Sequence, residues 1–214
     1  MQLLIANRRY SSWSLRGWLA LKLSGLEADV ELLPLDTPAF AEAVAVGRLP
    51  AGRAPVLWDG EACVWESIAI LEWLAERAGP APFWPTGPTA RAFARSITAE
   101  MHGGFASLRK ACPMDLRRVP SPIQSTPALA DDVARVDHLF THARTRFGAG
   151  GPFLFGAFGA ADAMYAPVAA RIHAYALPVG PEARAYVDAV LAHPWLREWV
   201  DAIGDEPDIS EHRL

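Results

Sequence analysis

Two adjacent hydroxyl side chains, Ser11 and Ser12, stand where a helix is predicted to begin, in the stretch SSWSLR. The N-terminus of a helix carries unpaired backbone N–H groups and a partial positive charge, so it favours a bound anion. A thiolate held there has a lowered pKa, and a hydroxyl that donates a hydrogen bond to the sulfur lowers that pKa further. Serine is also among the best residues for capping a helix, so a simple cap is the alternative interpretation.

The elements that must position these serines are predicted from apolar spacing and turn signals. Residues 2–6 form a short apolar run typical of a buried strand, and apolar positions at helical spacing run from Ser12 to a stop at Gly25. Residues 29–35 alternate like a second strand. The order βαβαββα is completed by a helix at 38–46, a hairpin of strands at 55–58 and 62–65 around an Asp-Gly turn, and a helix at 68–77.

A proline-rich stretch separates this α/β half from a second half with few strand signals. Residues 79–88 hold four prolines in ten positions and cannot form a helix or an inner strand. Beyond them the apolar spacing predicts helices at residues 89–111, 129–147, 160–176, 182–191 and 195–203. The predicted fold class is α/β plus all-α, with a first domain at 1–78, a linker at 79–88 and an all-helical domain at 89–214.

The overall composition excludes several classes of function. The 214 residues carry a formal charge of −4 and no lysine- or arginine-rich run, so neither nucleic acid nor an anionic membrane is expected as a partner. Only two cysteines occur, Cys63 and Cys112, outside any CxxC pattern, which argues against a disulfide framework and a zinc site. Because no signal peptide, membrane-spanning run or metal-ligand cluster is recognised, we expect a metal-free protein of the cytoplasm.

The element order, the proline before the hairpin, the Glu-Ser pair after it and the helical second half together resemble a cytosolic glutathione S-transferase over the whole chain. The stretch SSWSLR is similar to the SSCSWR element of the zeta class, which points to bacterial zeta-like enzymes. Trp13 stands where that class has a cysteine. The resemblance implies a thioredoxin-like N-terminal domain that binds glutathione, a helical domain that supplies the second-substrate pocket, and a homodimer.

The resemblance also implies roles for individual residues. Ser11 would activate the glutathione thiol, with Ser12 as its first alternate. The backbone of Ala54, before a cis Pro55, would pair with the cysteinyl part of glutathione like an added strand. The γ-glutamyl end would be held by a carboxylate and a helix-start hydroxyl, those of Glu66 and Ser67. Looser glutathione-binding candidates are Trp13, Arg16 and Arg53.

In the second half, the resemblance places the stretch EMHGGF on the helix that faces the active site. His102, Gly103 and Phe105 are therefore candidates for the second-substrate pocket, whereas Arg109 lies two turns further on and is expected to face elsewhere. His102 as a general base is a minor alternative, since a lone histidine is usually structural. Asp162, near the start of a helix, is expected to stabilise that helix start rather than to take part in chemistry.

Three functions remain open at this point. The first is conjugation, in which the thiolate attacks a small, apolar electrophile. The second is zeta-type cis–trans isomerisation of a maleyl keto acid, which would need cationic residues for two carboxylates. The zeta arginine aligns near Ala174, with Arg171 one turn earlier, which favours the transferase. The third is a non-catalytic binding or assembly protein with the same fold.

Overall fold

The computed structural model describes residues 1–209, and its first half is built on one four-stranded sheet. The strands are β1 (Gln2–Ile5), β2 (Asp29–Leu32), β3 (Val56–Asp59) and β4 (Ala62–Trp65), in the spatial order β2-β1-β3-β4. β1 runs parallel to β2 and antiparallel to β3, and β3 pairs antiparallel with β4. The crossover between the parallel pair contains a helix, as parallel strands require.

Three helices cover the two faces of this sheet: α1 (Ser12–Ser24), α2 (Pro38–Ala45) and α3 (Ser67–Ala78). Leu3 and Ile5 belong to the larger core, into which α1 and α3 also pack. Leu4 points to the opposite face and joins a smaller core with Phe40 of α2. Because successive side chains of a strand point to opposite faces, a strand covered on both faces must be apolar throughout, as β1 is.

The second half consists of helices in the described residues. They are α4 (Pro88–Gly103), α5 (Ala106–Ala111), α6 (Pro127–Phe147), α7 (Ala160–Ala174), α8 (Pro181–Ala192) and α9 (Pro194–Asp201). The central helix α7 is buried along nearly its whole length and packs against α1, α4 and α8. The predicted α/β plus all-α fold class is therefore confirmed.

Two predicted elements differ from the structure. The single helix expected at residues 89–111 is wrong, because the chain breaks after Gly103 and Phe105 adopts a left-handed conformation with φ 57° before α5 begins. The predicted strand at 29–35 ends at Leu32, since Pro34 has no N–H to continue the ladder. The last five residues of the predicted helical domain lie outside the described part of the chain.

Asp162 lies in the first turn of α7 and is fully buried. Its carboxylate accepts hydrogen bonds from the backbone N–H groups of Leu154, at 3.1 Å, and Gly159, at 2.8 Å. Burial raises the pKa of this carboxyl to about 6, although the backbone donors act in the opposite direction. The contacts join the helix start to the preceding loop and lie away from both cavities described below.

Within residues 1–209, none of the helices is both long and apolar enough to cross a bilayer.

Candidate active site

Ser11 is the N-cap of α1, so its position follows directly from the local chain geometry. Its Oγ accepts a hydrogen bond from the Ser14 N–H at 3.2 Å, as a capping side chain does. Its hydroxyl also donates to Ser14 Oγ at 2.8 Å, and that oxygen accepts from the Ala6 N–H at 2.9 Å. Ser14, which the sequence reasoning did not single out, thereby ties the helix start to the end of β1.

Ser12 is the first residue of α1 and is almost fully buried. Its Oγ accepts a hydrogen bond from Nη2 of Arg171 at 3.4 Å. No acceptor for the Ser12 hydroxyl proton is found within residues 1–209. Because its oxygen already has a cationic donor, this hydroxyl is suited to donate its own proton to an anion in the neighbouring cavity.

Trp13 lies at the centre of a group of basic side chains. The Arg16 guanidinium carbon is 4.4 Å from the Trp13 ring centroid, and that of Arg109 is 5.7 Å away. The His102 ring meets the indole edge to face at 5.3 Å. An aromatic face attracts cations within about 6 Å, so the indole brings both arginines close to the start of α1.

The expectation that Arg16 contacts a carboxylate of glutathione is wrong for this geometry. The side chain is completely buried, and its Nε donates to the Met164 carbonyl of α7 at 2.8 Å. Its Nη1 donates to the Ser12 carbonyl at 3.2 Å. Burial, followed by the charges of Arg171 and Arg109, lowers the pKa of the guanidinium. Arg16 is a buried cation that joins the two halves of the molecule.

Arg171 of α7 is also buried and reaches the start of α1 from the second half. Its Nε donates to the Cys112 carbonyl at 2.7 Å, in addition to the bond to Ser12. Burial and, to a smaller extent, the charge of Arg109 together lower its pKa to about 10. Within the described chain, no carboxylate lies within ion-pair distance of Arg16, Arg109 or Arg171. Positive charge is therefore concentrated here without a counter-ion among residues 1–209.

The Ala54–Pro55 peptide bond is cis, as the resemblance implied. Among residues 1–209, neither the N–H nor the C=O of Ala54 is paired with another backbone group. Both are available to an extended ligand, in the manner of strand addition. α1 approaches closely here: a Cβ at Gly17 would lie 3.0 Å from the Pro55 Cγ. Gly17 is thus a further residue that the site requires.

Glu66 and Ser67 lie at the junction of β4 and α3. Glu66 adopts φ 69°, a conformation that costs a non-glycine residue about 1–3 kcal/mol and is concentrated at functional sites. Its side chain is exposed, and its Oε2 is 3.5 Å from the Nε2 of His102. Ser67 is buried at the first position of α3, and its hydroxyl donates only a weak bond to the Met164 Sδ at 3.8 Å.

His102 is half-buried against this junction. Burial lowers the pKa of its imidazole, although the carboxylate of Glu66 partly offsets the effect. Its Nδ1 is buried without a hydrogen-bond partner in the described residues. The nitrogen that faces Glu66 is Nε2, and in a neutral imidazole it can donate or accept one hydrogen bond with a ligand held there.

These residues line two adjoining cavities. The serine cavity, about 310 Å³, is bounded by Ser11, Ser12, Arg171 and an apolar wall that includes Phe40, Met114 and Ile209. The glutamate cavity, about 240 Å³, is bounded by Pro55, Trp65, Glu66, Ser67 and His102. They share four residues, Trp13, Arg53, Ala54 and Arg109. The two cavities are therefore parts of one cleft between the halves of the molecule.

The structure brings together nine of the residues singled out from the sequence: Ser11, Ser12, Trp13, Arg53, Ala54, Pro55, Glu66, Ser67 and His102. Gly103 and Phe105 line neither cavity. Phe105 instead packs in the core, edge to face with Tyr165, so its assignment to the second-substrate pocket is wrong. Gly103 is exposed at the end of α4, next to His102, and its assignment to the second-substrate pocket stays a prediction.

Arg109 and Arg171 line the serine cavity although the sequence reasoning gave neither a role there. Arg109 was expected to face elsewhere because α4 and α5 were read as one continuous helix. The break at residues 103–105 rotates α5, and this change of direction brings Arg109 to Trp13. A signal for this break was present in the Gly-Gly pair of HGGF, since glycine is a poor residue in a helix interior.

Tyr10 also lines the serine cavity, so it is a second hydroxyl that must be considered. Its hydroxyl donates to the Asp208 carboxylate at 2.5 Å. Burial and this hydrogen bond raise its pKa to about 12. The Tyr10 proton is therefore held by a carboxylate, whereas the Ser11 proton is held only by the neutral Ser14 Oγ, and the Ser12 proton has no acceptor within residues 1–209. The two serines are therefore the better hydroxyl donors to an anion at the helix start.

Comparisons with known proteins show which protein family this chain resembles. Two family models match, the N-terminal domain of glutathione S-transferase over residues 10–77 and the C-terminal domain over residues 126–202. A comparison with curated proteins gives no match.

Similar solved structures cover almost the whole chain. A glutathione transferase homolog from Burkholderia with bound glutathione is 20% identical, with a TM-score of 0.68 over 96% of this chain and 98% of that one. A maleylacetoacetate isomerase from Anaeromyxobacter dehalogenans, with dicarboxyethyl glutathione and citrate in its active site, is 25% identical, with a TM-score of 0.64 over 97% of each chain. Another from Methylobacterium extorquens, with malonate and glutathione bound, is 22% identical, with a TM-score of 0.67 over 98% and 100%.

Proposed function

Because this chain belongs to the cytosolic glutathione S-transferase superfamily, we propose that it is a glutathione-dependent transferase whose thiolate forms at the start of α1. The proposal rests on one observation. The serine pair, the unpaired backbone of Ala54 and the Glu66–Ser67 junction line a single cleft. A plain helix cap at Ser11 explains none of the features on the other side of that cleft.

The order of these groups suits an extended γ-glutamyl tripeptide. Glu66 accepts from the α-amino group, and Ser67, at the start of α3, binds the α-carboxylate through its hydroxyl and backbone N–H. The cysteinyl N–H and C=O pair with Ala54. This arrangement directs the sulfur to Ser11 and Ser12, and it leaves Arg53, which is exposed and lines both cavities, beside the bound peptide.

At the serine cavity the thiol loses its proton to solvent and becomes the nucleophile. Backbone N–H groups at the start of α1, a serine hydroxyl and the charges of Arg109 and Arg171 all stabilise negative charge on sulfur. The thiolate then attacks an electrophilic carbon of a co-substrate held in the same cavity. The protein contributes a lowered thiol pKa and a fixed orientation of the two reactants.

The arginines favour a second candidate function, a zeta-type isomerisation of a maleyl keto acid. Arg109 and Arg171 both line the serine cavity, and neither has a carboxylate partner among residues 1–209. The cavity therefore suits an acidic co-substrate better than the purely apolar one expected from the sequence. Two similar solved structures, both maleylacetoacetate isomerases, hold carboxylate ligands. In this reaction glutathione would add to the double bond and leave again after rotation.

Calorimetric titration with glutathione tests the proposed site through Glu66. We expect Glu66→Gln to weaken glutathione binding about tenfold, because the ammonium group loses an ionised partner. Glu61→Gln, an exposed change in the neighbouring hairpin, should leave the affinity unchanged. No binding by the unmodified protein, or equal affinities for both variants, would contradict the proposal.

From the resemblance we further propose that the protein forms a homodimer. The chain has a mass of 23.2 kDa, so light scattering would distinguish a dimer of twice that mass from a monomer.

A further inference from the structure

Ser14 lies in the first turn of α1, directly behind the capping serine, and is fully buried. Its Oγ is 2.8 Å from the Oγ of Ser11 and accepts from the backbone N–H of Ala6 at 2.9 Å. Its own backbone N–H donates to the Ser11 Oγ at 3.2 Å. Ser11 lines the serine cavity and Ser14 stands behind it, so Ser14 reaches a ligand in that cavity through Ser11.

The hydrogen bond between the two hydroxyl groups leaves one proton without a partner. In the structure Ser11 donates to the Ser14 Oγ, which therefore receives two hydrogen bonds, from Ser11 and from the Ala6 N–H. The proton of the Ser14 hydroxyl has no acceptor within residues 1–209 while Ser11 donates. A buried donor without an acceptor is unfavourable, because it has given up its hydrogen bond to water.

The opposite direction of the same bond satisfies this proton. A hydroxyl group donates one hydrogen bond and accepts two, and its proton rotates to suit its neighbours. If Ser14 donates to the Ser11 Oγ, the Ser14 oxygen keeps the Ala6 N–H and its proton has an acceptor. The Ser11 oxygen then accepts from the N–H and the hydroxyl of Ser14, so the Ser11 proton turns toward the serine cavity. An anionic sulfur in that cavity is a suitable acceptor.

We propose that Ser14 is a positioning residue and that the hydrogen bond between Ser11 and Ser14 reverses when the thiolate of bound glutathione forms. The bond from Ser11 to Ser14 is then replaced by two, one from Ser14 to Ser11 and one from Ser11 to the sulfur. No O–H bond breaks, since both hydroxyl protons only rotate and the thiol proton leaves for solvent. This role rests on the proposed function, because it requires a sulfur anion at the start of α1.

The reversed arrangement forms a continuous chain of donors from the sheet to the sulfur. The N–H of Ala6, directly after β1, donates to Ser14, Ser14 donates to Ser11, and Ser11 donates to the thiolate. Hydrogen bonds in such a chain strengthen one another by about 10–30% per bond, so Ser14 makes Ser11 a better donor. A thiolate gains more from a better donor than a neutral sulfur does. Ser14 therefore acts on the ionisation of the thiol rather than on the binding of the peptide.

The pKa of the bound thiol, measured from thiolate absorbance against pH, tests this role through Ser14→Ala. We expect a rise of about 0.3–0.5 unit, smaller than in Ser11→Ala, because a polarising bond is lost while the donor to the sulfur remains. In the double variant Ser11→Ala/Ser14→Ala the second substitution should add nothing, since Ser14 acts through Ser11. Ser24→Ala is the matched control at the other end of α1, where this hydroxyl donates to the Leu21 carbonyl at 2.7 Å and accepts from the Leu26 N–H at 3.1 Å. It should leave the thiol pKa unchanged.

S-methylglutathione separates this role from a merely structural one, because its thioether sulfur cannot ionise. Calorimetry should give the same affinity for this ligand in the unmodified protein and in Ser14→Ala. A distorted helix start would instead weaken the binding of S-methylglutathione, and its effect on the thiol pKa would persist in the Ser11→Ala background.

Nuclear magnetic resonance tests the reversal without a substitution at Ser14, so this measurement does not depend on the folding of Ser14→Ala. The chemical shift of the Ala6 amide proton, which is bound to the Ser14 Oγ, should change as bound glutathione ionises and stay constant with S-methylglutathione. In Ser11→Ala this pH dependence should be lost, whereas an effect of the sulfur charge through space would remain. The Leu26 amide, bound to the Ser24 Oγ, is the control and should not shift.

The outcomes separate the role of Ser14 from the function on which it rests. If the unmodified protein binds no glutathione, the proposed function is wrong. If Ser11→Ala raises the bound thiol pKa and Ser14→Ala does not, the proposed function stands and the role of Ser14 is wrong. Additive rises in the double variant, weaker binding of S-methylglutathione, or an Ala6 shift that titrates equally in Ser11→Ala would each overturn the role of Ser14 as well.

Discussion

At the scale of single residues, Arg109 and Arg171 line the serine cavity from two different helices of the second half, and Arg171 reaches Ser12. Like charges in a buried site repel, and this repulsion together with burial lowers the pKa of Arg171. A bound anion would relieve the repulsion, so the proposed thiolate and a carboxylate of the co-substrate would both be stabilised here. The sequence did not reveal this role, because α7 is buried on all sides and its apolar pattern marks no face toward the cleft.

Replacement of Arg171 distinguishes between the two candidate reactions. Loss of a charge-assisted hydrogen bond costs about 1.5–3 kcal/mol, so Arg171→Met should lower kcat/KM for a maleyl keto acid about 10- to 100-fold. For a neutral chloronitrobenzene the fall should be smaller. Steady-state kinetics with both substrates measures the difference.

Arg184→Met is the matched control for this comparison. Arg184 also donates to a backbone carbonyl, that of Leu177 at 3.0 Å, but it lies on α8 and lines neither cavity. It should leave both rates unchanged. Equal losses for both substrates in Arg171→Met would mean that Arg171 acts on the thiolate alone, and would count against isomerisation.

At the scale of elements, α1 must lie close against the turn at Pro55, so that the serines and the Ala54 backbone face one ligand. The order βαβαββα and the turn before β3 could be predicted, because strand runs, the Asp-Gly signal and the proline are local features. The closeness of α1 to Pro55 could not, because it depends on the absence of a side chain at Gly17. That contact can be recognised only in the three-dimensional structure, where α1 and the turn at Pro55 lie next to each other.

Gly17→Ala tests whether this close packing matters for the ligand. The added Cβ would meet Pro55 at 3.0–3.1 Å, and overpacking of this kind costs about 1–3 kcal/mol, partly offset by the better helix propensity of alanine. We expect a net loss of about 1 kcal/mol in the free energy of unfolding and at least about threefold weaker glutathione binding.

Denaturant unfolding and calorimetry measure these two quantities. Gly103→Ala is the control, because nothing lies within 4 Å of a Cβ there and its φ is not positive. Unchanged glutathione affinity in Gly17→Ala would show that the contact of α1 with Pro55 does not position the ligand.

At the scale of the whole molecule, the cleft exists because the two halves are joined along α1 and α7. Arg16 donates from α1 to the Met164 carbonyl of α7, and Arg171 donates from α7 back to Ser12. Glu206 and Asp208, which follow α9, add a third connection by binding Arg8 and Arg9 in the loop between β1 and α1. The fold class and most of the residues that line the cleft could be predicted from local motifs. The contribution of Arg171 could not, because its contact with Ser12 joins residues more than 100 positions apart.

The pKa of glutathione bound to this cleft tests the central claim most directly, and thiolate absorbance followed against pH measures it. We predict a bound thiol pKa below the usual value of about 8.5 for a cysteine thiol. Ser11→Ala should raise it by about one unit, whereas Ser96→Ala on the exposed side of α4 should not change it. A bound thiol that titrates like free glutathione, with the same pKa in the unmodified protein, Ser11→Ala and Ser12→Ala, would contradict the account.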